Sequence, residues 1–208
     1  VKIKDRFTNV LEDKLNKLNK RKVTVFNLGS CGANIFVNFQ AMNKFRQKLN
    51  PDLAVFTFFE NDLLIESDLS DFPNSIDAKE HPIVFNLHGD LSPQEYDRRV
   101  SESYDANTQN YKMFTEIIKR IPRDKTLLYL LTAYDVNERD LLAFEVLSNH
   151  ESAINNFELY YQKYKRLFSK NKYGMKVSER EGHPNKLAHQ MYAERLFQEI
   201  TENPELGF

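Results

Sequence analysis

The stretch that most constrains this chain is VTVFNLGSCGAN, Val23 to Asn34. A short β-prone run ends in a turn holding two of the chain's six glycines, and an amphipathic helical pattern follows. In α/β proteins, ligands bind at turns on the carboxyl ends of buried strands. Gly29 and Gly32 let the backbone approach a bound group or present its N–H groups, which a Cβ would obstruct. The run predicts a buried strand over 23–28. Ile35, Phe36, Phe39, Met42 and Leu49 then share one helical face, which Asn50-Pro51 ends. A second apolar run, LAVFTFF at 53–59, comes next. Strand, helix, strand at this spacing predicts a βαβ unit with parallel strands and a right-handed crossover. The glycine turn and the ENDL at 60–63 would then share one carboxyl edge of the sheet.

The rest of the chain extends an alternating pattern. Asp5 is placed to cap a first helix carrying Phe7, Val10, Leu11, Leu15 and Leu18 on its apolar face. Residues 64–79 are polar, acidic and aperiodic, which predicts an excursion over the sheet edge within an insertion or lid around 64–105. Residues 83–87 predict a short strand. Ser92-Pro93-Gln94-Glu95 has the form of a capping box with Pro at the first helical position. It opens one long helix with Tyr96, Val100, Tyr104, Tyr111, Phe114, Ile117, Ile118 and Ile121 on its apolar face. LLYLLTAY at 127–134 predicts a third buried strand. Ile154, Phe157, Tyr161, Tyr164 and Phe168 mark a further helix, and Leu187, Met191, Tyr192, Leu196 and Ile200 the last. There is no internal repeat and no linker, so 208 residues are read as a single domain.

Composition excludes several classes. The chain is 41% hydrophobic, too apolar for a disordered protein. Lys plus Arg number 29 against 30 for Asp plus Glu, so no global charge favours nucleic acid as a partner. No apolar run reaches the roughly 18 residues of a transmembrane helix. The single cysteine, Cys31, excludes an intrachain disulfide and any Cys-rich zinc site. The chain opens on VKIKDRF with no initiator Met and no signal peptide, which reads as a trimmed or mature start and leaves the compartment open.

Two residues carry candidate chemistry. His183 sits in Gly182-His183-Pro184-Asn185, a turn just before the last helix, with the Glu181 carboxylate close by in sequence. A loop histidine beside a carboxylate suits a general base whose partner orients it; an exposed loop residue before a helix start is the plainer alternative. Asn61 follows an apolar strand, and a carboxamide with a backbone N–H such as that of Gly32 is what a developing oxyanion needs. Turn chemistry explains each singly. His189, at helical spacing from Asn185, reads as a packing or helix-surface residue.

The blocks NLGSCG, PDLAVFTFFENDL and EGHPNKLAHQMYAERL, taken in order, resemble the second, third and fifth sequence blocks of the GDSL/SGNH hydrolase superfamily. Those are esterases, lipases, thioesterases and carbohydrate deacetylases. The resemblance implies a flavodoxin-like three-layer α/β/α fold with a mostly parallel sheet. It implies an ester substrate, on a carbohydrate or lipid, and no metal or organic cofactor. It gives Gly32 an oxyanion N–H, Asn61 the side-chain donor and His183 the base. The family's acid lies two or three residues before the histidine, where this chain has Glu181 and Arg180, so Glu181 takes that role. The family's Gly-Asp-Ser nucleophile and its strand precede the first helix, and the chain begins at about that helix. By resemblance they are expected upstream of Val1. HGDLS at 88–92 imitates the motif out of order, with Ser92 better explained as a helix cap. Ser30 and Cys31, on the glycine turn, are the other candidate nucleophiles. A fold that kept the pocket without the serine would bind rather than hydrolyse, and an O-acyltransferase would use the same residues.

Overall fold

Parallel pairing between two apolar pentapeptides organises the sheet. In the computed structural model, β1 (Ala54–Phe58) lies parallel to β2 (Thr126–Leu130), in register from Ala54 opposite Thr126 to Phe58 opposite Leu130. A two-residue strand, β3 (Ala153–Ile154), continues the sheet parallel to β2, giving the order β1-β2-β3. The structure describes residues 1–18, 22–29, 33–59, 62, 92–103, 105–131, 153–154, 165–167, 169–178 and 183–206. They form a mixed α/β protein with a parallel sheet, gathered into two compact units.

One unit holds Leu28–Leu130 and Glu138–Asn155. Among its described residues the helices are α2 (Ile35–Leu49), α3 (Pro93–Ser103) and α4 (Gln109–Arg120). Asn34 caps α2, its side chain accepting from the Val37 N–H, and Asn50 ends it in the left-handed conformation at φ 43°. Asn tolerates that conformation better than most residues, so Asn50 closes the helix before Pro51 forbids its continuation. The core is apolar faces laid together: Ile35, Phe36 and Phe39 of α2, Phe56 and Phe58 of β1, Met113, Phe114, Ile117 and Ile118 of α4. Phe58 and Phe114 stack at 5.0 Å, a contact worth about 0.5–1.5 kcal/mol beyond its area. Arg46 of α2 reaches the start of β2, donating to Thr126 Oγ1 at 2.6 Å and to the Asp124 carbonyl at 2.9 Å.

The other unit holds Val1–Asn27, Leu131–Asn137 and Asn156–Phe208. Its frame is α1 (Phe7–Leu18) packed on the last helix, α5 (Lys186–Glu202). Leu11 and Leu15 meet a buried stripe of Ala188, Met191, Tyr192, Ala193, Leu196 and Ile200. Lys14 adds an ion pair to Glu194 at 2.7 Å and lies over the Phe197 ring.

Several expectations need correction. Residues 23–28 are not a buried strand. The segment pairs with no strand among the described residues, and Phe26 and Leu28 are 63% and 42% exposed. Side chains of α1 take its backbone groups instead: Asn16 bonds the Val23 N–H and carbonyl, both at 2.8 Å, and Glu12 accepts from the Val25 N–H at 2.6 Å. The parallel neighbour of β1 is therefore β2, and the shared sheet edge inferred for the glycine turn and ENDL loses its first strand. The single long helix opened by Ser92 is two helices. Asp105 accepts from the Asn107 N–H, and Thr108 caps α4 by accepting from the Tyr111 N–H, so local side-chain bonds break the helix there. The capping box is half formed: Ser92 Oγ accepts from the Glu95 N–H, while the Glu95 carboxylate turns to Arg98 and Arg99. Asp5 belongs to a 3₁₀ turn, Ile3–Asp5, and pairs with Lys186 at 3.0 Å. Ile154, expected on a helix, sits in β3. Leu18 and Leu49, placed on apolar faces, are exposed at their helix ends. The lid over 64–79, the strand over 83–87 and most of the helix at 154–168 lie outside the described residues.

Candidate functional site

His183 is the one of the four candidate site residues that the structure describes; Gly32, Asn61 and Glu181 lie outside the described residues, as do Ser30 and Cys31. His183 is exposed on the turn that leads into α5, where the sequence pattern put it. The turn is an ordered one. The His183 carbonyl accepts from the Val177 N–H at 3.0 Å, and the Asn185 N–H donates to the Met175 carbonyl at 2.7 Å. Between these bonds Lys176 faces Pro184 as an antiparallel bridge. Pro184 thus occupies the pair whose members exchange no bond with each other, where its missing N–H costs nothing.

Asn185 completes the arrangement. Its Oδ1 accepts from the Ala188 N–H at 3.1 Å and caps α5, while Nδ2 donates to the Gly174 carbonyl at 2.7 Å and the Lys176 carbonyl at 3.0 Å. Gly174 has φ +57°, with open space where a Cβ would stand. Glycine is there for its backbone conformation, which aims a carbonyl at Asn185.

Near Asn61, the end of β1 is closed by its neighbour. Asp62 accepts from the Phe59 N–H at 2.8 Å and returns its own N–H to the Phe59 carbonyl at 3.0 Å. Burial pushes the Asp62 carboxyl up to about 7, against the lowering effect of the Phe59 N–H. Asp62 still keeps some solvent-exposed surface, which tempers that displacement. Asp62 was not among the sequence candidates; its signal was an acid in the ENDL that follows the apolar run, beside Asn61. Two residues past the Gly32 position, Asn34 is fully buried, and its Nδ2 has no partner among the described residues.

His189 behaves as the sequence suggested, as a packing residue. It stacks on Phe7 at 6.0 Å, meets Tyr192 edge-on, and its Nδ1 accepts from the Phe7 N–H at 3.3 Å. Burial lowers its pKa to about 4, and the positive charge of Arg6 adds to the effect. A neutral imidazole accepting at Nδ1 is thus built into the contact of α1 with α5. Ser92, by its bond to Glu95, is the helix cap that the sequence reading preferred over a nucleophile.

By its fold the protein is a mixed α/β protein with a parallel sheet. The chain matches no family model, no curated protein and no solved structure. Among the described residues, no helix is long and apolar enough to cross a membrane.

Proposed function

We propose that the chain is an SGNH-type serine esterase domain with a flavodoxin-like α/β/α architecture, acting on an O-acyl group carried by a carbohydrate or lipid. The observation that supports the reading best is the His183 turn: an exposed histidine held by backbone bonds at the head of the last helix, in the sequence GHPN. Beside it stands the order of the three blocks along the chain.

In this mechanism His183 takes the proton of a serine hydroxyl as that oxygen attacks the ester carbonyl. The Gly32 N–H and the Asn61 carboxamide stabilise the tetrahedral oxyanion, and Glu181 orients the imidazole and balances its charge. His183 returns the proton to the leaving alcohol, then activates the water that releases the acyl group. The serine is expected from a Gly-Asp-Ser segment preceding Val1.

The test is reaction of the natural full-length protein with a fluorophosphonate probe, read by intact mass and peptide mapping. The reading predicts one adduct on a serine upstream of Val1, lost in His183→Ala. It also predicts that His183→Ala lowers kcat on an activated ester by about 10²–10⁴-fold. An adduct on Ser30 or Ser92 overturns the block assignment. No adduct on the full-length protein overturns the hydrolase reading in favour of a binding protein. Acyl transfer to added alcohols in preference to water would make it an acyltransferase.

A further inference from the structure

We infer that Asn185 is the positioning residue for His183, and that its carboxamide does a second job distinct from capping α5. The inference rests on His183 being the base of the proposed site. Capping uses one atom: Oδ1 accepts from the Ala188 N–H. Asp or Ser would cap as well as Asn, so the cap does not explain the amide nitrogen.

That nitrogen has its own two partners, the carbonyls of Gly174 and Lys176, and the Asn185 backbone N–H takes the Met175 carbonyl between them. One residue therefore accounts for a bond to each of three successive carbonyls on the strip opposite the histidine. The strip is itself shaped to receive them. Gly174 stands at positive φ, and Asn171 Nδ2 donates to the same Gly174 carbonyl at 3.0 Å.

On the other side of Pro184, the Val177 N–H holds the His183 carbonyl. Proline fixes φ between these two anchor points, so little backbone freedom remains across His183-Pro184-Asn185. Remove the Nδ2 donors and the turn keeps two backbone bonds and its cap but loses the strap at Gly174 and Lys176. A base displaced by about 1 Å costs on the order of 10²-fold in rate, so the strap bears on kcat.

The experiment separates strap from cap. Asn185→Asp keeps the cap and sets a carboxylate against two carbonyl oxygens; Asn185→Ser keeps the cap and only removes the donors. Helix content by circular dichroism is compared with wild type, the His183 imidazole is followed by ¹⁵N NMR, and ester hydrolysis is resolved into kcat and KM. The expected result in both variants is kcat lower by about 10²-fold with KM within about twofold. The His183 ring signals should shift or broaden while helix content stays unchanged. Ring signals and kcat like those of wild type in Asn185→Ser would overturn the inference. If the wild-type protein hydrolyses no ester, the hydrolase reading falls. The His183 signals then decide the positioning role by themselves: altered in the variants they support it, unaltered they refute it.

Discussion

At the scale of single residues, the sequence shows which groups can do chemistry more readily than it shows what holds them. His183 could be picked out because histidine, glycine and proline in one turn are an uncommon combination ahead of an amphipathic helix. Its support could not, because the Gly174 carbonyl lies eleven residues from Asn185 and nothing in the intervening residues announces the pairing. Gly174 offers a clean test of that support. A Cβ there meets nothing, so Gly174→Ala adds backbone strain alone, about 1–2 kcal/mol for a positive φ. Chemical denaturation should show a loss of that size. An unchanged midpoint would mean that the turn relaxes freely and that the carbonyl's direction does not matter.

At the scale of elements, legibility followed the strength of local signals. α2, α5, β1 and β2 fall where periodicity and apolar runs put them: each helix carries one buried stripe, and each strand is a short apolar run. Residues 23–28 misled for a physical reason. An apolar run is read as a strand, but a strand needs a neighbour for its backbone, and here Asn16 and Glu12 of α1 supply the bonds. The break between α3 and α4 was present in the residues Asp105-Ala106-Asn107-Thr108, yet the apolar periodicity running through it outweighed two side-chain caps. Those caps make a prediction. Thr108→Ala should destabilise by about 1 kcal/mol through the lost bond to the Tyr111 N–H. Asn50→Ala should cost about 1–2 kcal/mol through left-handed strain, while Asn50→Gly should be neutral or stabilising. Equal destabilisation by Ala and Gly at position 50 would show that side-chain bonding, not conformation, governs that helix end.

At the scale of the whole molecule, the pH dependence of stability is set by groups whose pKa differs between the folded and unfolded chain, so individual displaced groups decide it. Two of them act in opposite directions, one in each compact unit. His189 titrates at about 4 in the folded protein against 6.5 ordinarily. Between those values the unfolded chain binds more protons, so the stability of its unit rises with pH across the window and is lost as pH falls. Asp62 titrates at about 7 against 3.8 ordinarily, so the folded state binds more protons and stability falls as pH rises through that range. Both residues keep some contact with solvent, which holds each contribution to on the order of 1–2 kcal/mol. Summed over the chain they largely cancel, and a global denaturation curve should be nearly flat between about pH 4 and pH 7. Amide exchange, corrected for its intrinsic pH dependence, resolves the two. Protection in α5 should increase over that interval while protection in β1 decreases. Asp62→Asn should abolish the decrease in β1 and leave α5 unchanged; His189→Phe should do the converse. If protection in both elements moves in the same direction in the wild-type protein, one of the two burial arguments is wrong. The variant whose slope fails to change then identifies which.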